Sequence, residues 1–284
     1  VLLALDARSH AISIGFFEGD AGALAGKGSW LPRRRLGVIS GRSADEYALL
    51  LRAFAKEAGS GAGVDEAWMS CVAPALGREL GRAVVSAFGL PCFLVGPGVR
   101  TGVKIRTDVP SEVGSDLVCS AAAARDIVGG PCVIVDFAAA LAFSAIGRSG
   151  DFLGAAIAPG IGTAAESLRG AAALLPEVAL ALSQAGREDD PAPAIGKSTA
   201  QAVRSGIGIG YAGLVERIVR RQREELAALG EADSPEAVAV IGTGDEEGRA
   251  LFASLALGRF VPDLVLEGLA LIAARAAPAS RTVI

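Results

Sequence analysis

The segment VLLALDARSHAISIGFF runs an apolar strand into Asp6, turns through Ala7, Arg8, Ser9 and His10, and leaves as a second apolar strand. A carboxylate that closes a strand before a tight turn has two uses. It can organise a metal ion beside phosphate, or it can cap the turn with its own hydrogen bonds. CVIVDFAAALAF repeats the arrangement at Asp136, and a third aspartate, Asp116, follows PSEVGS. For Asp6 and Asp136 taken singly, the residues leave metal chemistry and turn capping equally open. A phosphate-binding turn also needs glycine, so that backbone N–H groups come close, and hydroxyl donors. The first turn has no glycine, although the Arg8 guanidinium offers a different way to hold an anion. In the second turn, Phe137 is followed by Ala138, Ala139, Ala140, Leu141 and Ala142, with no hydroxyl at all.

Apolar alternation predicts strands near 1–6, 11–18, 35–40, 66–72, 91–95, 132–137, 140–147, 152–158 and 237–242. Helical periodicity covers about 43–58, 75–88, 111–128, 161–175, 197–228, 246–257 and 265–276. Strands alternating with helices argue for an α/β protein. The polar, proline-containing stretch SQAGREDDPAPAIGKST reads as a surface loop entering the long helix. LLALDARSHAISIGFFEGDAGALAG and VIVDFAAALAFSAIGRSGDFLGAAIAPG share one design: strand, Asp, turn, strand, Gly/Asp turn, third strand. That repeat predicts duplicated actin-like (ribonuclease H-like) domains, 1–118 and 119–284, with a cleft between them.

Among 284 residues, 51% are hydrophobic and few aromatic, so the core is built of Ala, Leu, Val and Ile. The net charge of −4 argues against a general nucleic-acid binder. The basic runs PRRRL and RIVRRQR read as solvated faces, and Trp30 and Trp68 as packing. The N-terminal apolar run is too short for a signal peptide, and Asp136 interrupts the longest apolar stretch, so no membrane span is expected. Cys71, Cys92, Cys119 and Cys132 lack metal-site spacing and read as buried thiols. With one histidine, zinc sites and histidine-based triads are poorly supplied. The expectation is a cytoplasmic protein.

Several segments, in order and spacing, resemble the type III pantothenate kinases: VAP at 72–74, VGPGVRTG at 95–102, PSEVGSD at 110–116, VIVDF at 133–137, GAAIAPGI at 154–161, IGKSTAQAVRSGIGIGYAGLVE at 195–216 and PDLVLEGL at 262–269. The resemblance implies an actin-like fold, a homodimer, and transfer of the ATP γ-phosphate to pantothenate, the first step of coenzyme A synthesis. It implies Mg2+ with ATP, and a monovalent cation, K+ or NH4+. Residue by residue, it makes Asp116 the catalytic base and Asp6 and Asp136 the metal-organising carboxylates. It places Asp6, Arg8, Ser9, His10, Asp136, Thr243 and Gly244 beside the nucleotide, and Gly98, Thr101, Gly102 and Thr199 beside the substrate. Ser198 reads as the cap of the long helix, and Thr199 as cap or ligand alike.

The chain departs from the family pattern at the positions that touch phosphate. Arg8 and His10 replace a glycine and a threonine of the first loop. Alanines and Leu141 replace the hydroxyls of the second, where Leu141 would put apolar bulk beside phosphate. Asp245 replaces a glycine, and Leu117 an arginine that would hold the pantothenate carboxylate. Each pre-organised donor removed from a transition state costs about 10²–10³ in rate. Two readings follow. One is a divergent kinase of weak or lost activity. The other is an inactive pseudokinase that acts as a metabolite-binding, regulatory or structural dimer.

Overall fold

The computed structural model describes residues 1–19, 28–59, 63–172, 175–176, 178–180, 182, 193–276 and 282–283. The chain forms two compact units, one of Val1–Asp126 with Asp263–Ile284, the other of Ile127–Pro262. The sequence reading cut the chain at 118 and gave everything beyond to the second half. The division differs because the C-terminal helix returns to the first sheet.

In the first unit β1 (Leu2–Ala7) is the middle strand. β2 (Ala11–Gly19) pairs with it antiparallel, and β5 (Glu66–Cys71) pairs with it parallel on the other side. β3 (Gly28–Trp30) and β4 (Arg34–Gly37) extend the β2 edge; β6 (Cys92–Leu94) and β12 (Thr282–Val283) extend the β5 edge. The period of two in β1 feeds two different cores. Leu3 and Leu5 pack with α1 (Ala44–Glu57) and α2 (Pro74–Phe88). Leu2 and Ala4 pack with α3 (Ser115–Val128) and α7 (Leu264–Arg275). Both faces of β1 are therefore buried, and Asp6 falls in step with Leu2 and Ala4, on the α3 side.

The second unit repeats the plan. β7 (Cys132–Phe137) takes β8 (Ala140–Ile146) antiparallel on one side and β10 (Ala239–Gly244) parallel on the other, with β9 (Phe152–Pro159) and β11 (Arg259–Phe260) at the edges. Val133, Val135, Phe137, Leu141 and Phe143 face a core completed by α5 (Thr199–Ala228) and α6 (Glu246–Ser254). α4 (Ile161–Ala171) follows β9. The duplication read from the sequence is thus a duplication of topology: β1–β2–β5 and β7–β8–β10 are the same motif. β3, β11 and β12, each three residues or fewer, carry no readable period. The expected loop at 183–192 and the first Gly/Asp turn at 20–27 lie outside the described residues. Among the described residues no helix is long and apolar enough to cross a membrane.

Candidate functional site

The first unit gathers Asp6, Arg8 and Asp116. Asp6 lies 5% exposed at the end of β1, beside its register partner Ser70 on β5. The Arg8 Nε donates to Asp6 Oδ2 at 2.7 Å, which puts a permanent cation on the strand-end carboxylate. Ser70 and Ser115 hydroxyls lie 2.9 Å apart, and Ser115 Oγ also accepts from the Cys71 N–H at 3.0 Å. This serine pair pins the start of α3 to the end of β5. It thereby places Asp116, in the first turn of α3, where unpaired helix N–H groups favour an anionic side chain. Asp116 folds back over Gly114, where an added Cβ would meet its Oδ1 at 2.4 Å. Beneath these groups Cys119 is fully buried. Burial pushes its thiol well above the ordinary value, and Asp6 and Asp116 push it further.

Ser9 and His10 stand exposed on the β1–β2 turn, which is closed by the Arg8 N–H donating to the Ala11 carbonyl at 2.9 Å. Gly98 and Gly102 both have positive φ, 90° and 75°, which explains the glycines of the 95–102 loop. Thr101 Oγ1 accepts from the Val103 N–H at 3.2 Å, and Arg125 Nη1 donates to the Gly102 carbonyl at 2.6 Å. Residues of this loop are thus held by their own unit.

The second unit sets Asp136 and Thr243 side by side as register partners on β7 and β10, 3% and 2% exposed, on the sheet face turned away from the α5–α6 core. Gly244, at φ 118°, has Phe137 O where a Cβ would be, 2.0 Å away, so no other residue fits this close approach. Asp245 caps α6, its Oδ1 accepting from the Gly248 N–H at 2.7 Å. The sequence reading treated Asp245 as a misplaced charge; the cap is its local use. Ser198 caps α5 as expected, accepting from the Gln201 N–H at 3.3 Å, and Thr199 begins that helix exposed.

One expectation is corrected. Leu141 is 0% exposed and packs in the second core, not toward phosphate space. The residues the β7–β8 turn shows to solvent are Ala139 and Ala140. The turn is held from behind: Gly160 N–H and Thr163 Oγ1 both donate to the Ala139 carbonyl, at 2.9 and 2.8 Å. The solvated reading of PRRRL also fails at Arg33, whose guanidinium pairs with Glu267 and stacks over Trp30. Cys71 is half-buried, unlike the other three cysteines. Sequence reading missed the Ser70–Ser115 clamp, the Gly114 recess and the Gly160–Thr163 brace. Of these only Ser115, adjacent to Asp116 within PSEVGSD, carried a signal.

A family model for type III pantothenate kinase matches residues 2–221. The type III pantothenate kinase of Dehalococcoides mccartyi (strain CBDB1) is 36% identical over 272 residues, spanning 95% of this chain and 94% of its own. The chain belongs to the type III pantothenate kinase family. The Streptomyces coelicolor type III pantothenate kinase is 35% identical over 280 residues, with 96% and 97% of the two chains covered. A crystal structure from Campylobacter jejuni, of a conserved protein assigned to the Baf family of transcriptional activators, superposes with TM-score 0.53 at 15% identity over 95% of this chain and 96% of its own. That likeness speaks for the actin-like fold alone.

The divalent ion implied by the family does not fit the first loop. Asp6 Oδ2 already accepts from a guanidinium, and a second cation would face it at contact distance. Among the described residues no group of three or more His, Cys, Asp or Glu side chains is placed to hold a metal ion.

Proposed function

We propose that this chain is a type III pantothenate kinase homologue in which ATP-dependent phosphorylation of pantothenate is weak or lost. The observation that carries the reading is the β7–β8 turn, which offers Ala139 and Ala140 methyls where a phosphate loop offers hydroxyls. A methyl donates no hydrogen bond to the oxygens that gather charge as the γ-phosphoryl moves, and phosphoryl transfer depends on such donors almost entirely. Leu117 adds to it, because an apolar side chain cannot pair with the pantothenate carboxylate. Asp116 keeps the place from which a base would take the proton of the attacking hydroxyl, and Gly114 leaves its carboxylate room.

A second reading, full family turnover, draws support from that same Asp116 and from Thr243 and Gly244. Homodimerisation, a cytoplasmic location and a monovalent-cation requirement belong to the proposal and are carried over from the family alone. Pantothenate-dependent ADP release by the purified protein separates the readings. The first expects turnover orders of magnitude below the roughly 1–100 s⁻¹ usual for kinases. Release in that range, abolished by Asp116→Asn, overturns it.

A further inference from the structure

We propose that Arg8 is the built-in counter-ion of the first loop, and that this loop accepts no divalent metal ion. The inference rests on reading residues 6–10 as the first phosphate loop, but not on whether the protein turns over. Asp6 and Arg8 lie two residues apart at the end of β1, so both side chains leave the same face of the sheet. The Asp6 side chain is 7% exposed and that of Arg8 20%, with 2.7 Å between Nε and Oδ2. A carboxylate so enclosed requires a compensating charge, and here the chain supplies it from its own turn. The guanidinium stays charged at any pH the fold survives, so it never vacates the position by deprotonation.

A metal ion drawn to Asp6 would have to work against that fixed positive charge, and no cluster of three or more ligating side chains among the described residues would compensate it. Arg8 also changes what the loop can do. A single guanidinium presents planar N–H donors and one charge, suited to an anion that arrives without a metal. Whatever anion this loop binds, including the phosphates of a nucleotide, it binds equally with Mg2+ present or chelated.

Mn2+ alone is the probe, followed by electron paramagnetic resonance on the full chain with no nucleotide added. Wild-type protein and Asp6→Asn should leave the same amount of sub-millimolar Mn2+ free. Arg8→Gly should gain a site, tighter by roughly tenfold or more as expected for removal of a contact cation. The double variant Asp6→Asn with Arg8→Gly should lose that site again. Arg8→Lys, which keeps the charge, should stay metal-free. A wild-type Mn2+ site abolished by Asp6→Asn overturns the proposal. So does a folded Arg8→Gly protein that gains nothing. If thermal melting shows Arg8→Gly unfolded, Arg8→Gln, which keeps most of the stem, takes its place under the same criteria. Because the readout is Mn2+ itself, vigorous ADP release would sink the proposed weak turnover and leave this inference standing, and a wild-type metal site would do the reverse.

Discussion

Thr163 donates its hydroxyl to the Ala139 carbonyl across 2.8 Å, and so joins the start of α4 to the turn between β7 and β8. The adjacent Gly160 N–H donates to the same oxygen, and its Cα lies so close that a Cβ would meet Ala138 O at 2.0 Å. Gly160→Ala should therefore destabilise the second unit by about 3 kcal/mol, because backbone and not a flexible side chain must give way. Thr163→Ala, which only deletes one hydrogen bond, should cost about 1 kcal/mol. Urea denaturation of the two variants checks the ratio.

Reconstruction of the second loop should separate buried from exposed positions. Leu141→Thr places a hydroxyl in a fully buried apolar site and should cost about 2–3 kcal/mol. Ala139→Thr, on the exposed turn, should change stability by no more than about 0.5 kcal/mol. Thermal melts of both decide it; equal effects would mean that Leu141 is not packed as described.

Asp245→Ala should lower stability by about 1 kcal/mol through loss of the α6 cap, and Asp245→Gly by only a few tenths. The measurement is the denaturant midpoint of each variant against wild type.

Glu267 accepts from Trp30 Nε1 at 2.8 Å and also pairs with Arg33, so one carboxylate ties β3 and the segment after it to α7. Glu267→Ala leaves a half-buried guanidinium and an indole N–H without that acceptor. It should cost about 2 kcal/mol, and Trp30→Phe about 1 kcal/mol, in equilibrium unfolding.

Burial pushes the Cys92 and Cys132 thiols up to about 12 from the ordinary 9.0, and Cys119 well above it. In the unfolded chain these thiols ionise near 9, while the folded chain keeps them protonated. Between those values the folded state holds more protons than the unfolded one, so stability falls as pH rises. Their contribution should be full below pH 9 and decline from there toward 12, as urea titrations across that range would record. At pH 8 a thiol reagent should modify half-buried Cys71 first and the other three only on unfolding.

Which segments are strands and helices was legible in the chain, because the period of two in β1, β2, β7 and β8 and the longer period in α1, α5 and α7 are local properties of residue order. The duplicated motif was legible for the same reason, as were Asp6, Asp136 and Asp116 at element ends. The short strands β3, β11 and β12 were not, since two or three residues carry no period and pair only where a neighbouring edge is offered. Burial of Leu141 was set by strand pairing: opposite Phe137 on β7, it shares that residue's face and joins the same core. The return of α7 to the first sheet, the Ser70–Ser115 clamp and the bond between Trp30 and Glu267 were likewise decided by folding. Each joins groups 45 to 237 positions apart or more, and sequence spacing says nothing about such a distance until the sheets are assembled. The pairing of Arg8 with Asp6 lies between these cases. The spacing of two put both side chains on one face, and the burial of that face made the charge of one necessary to the other.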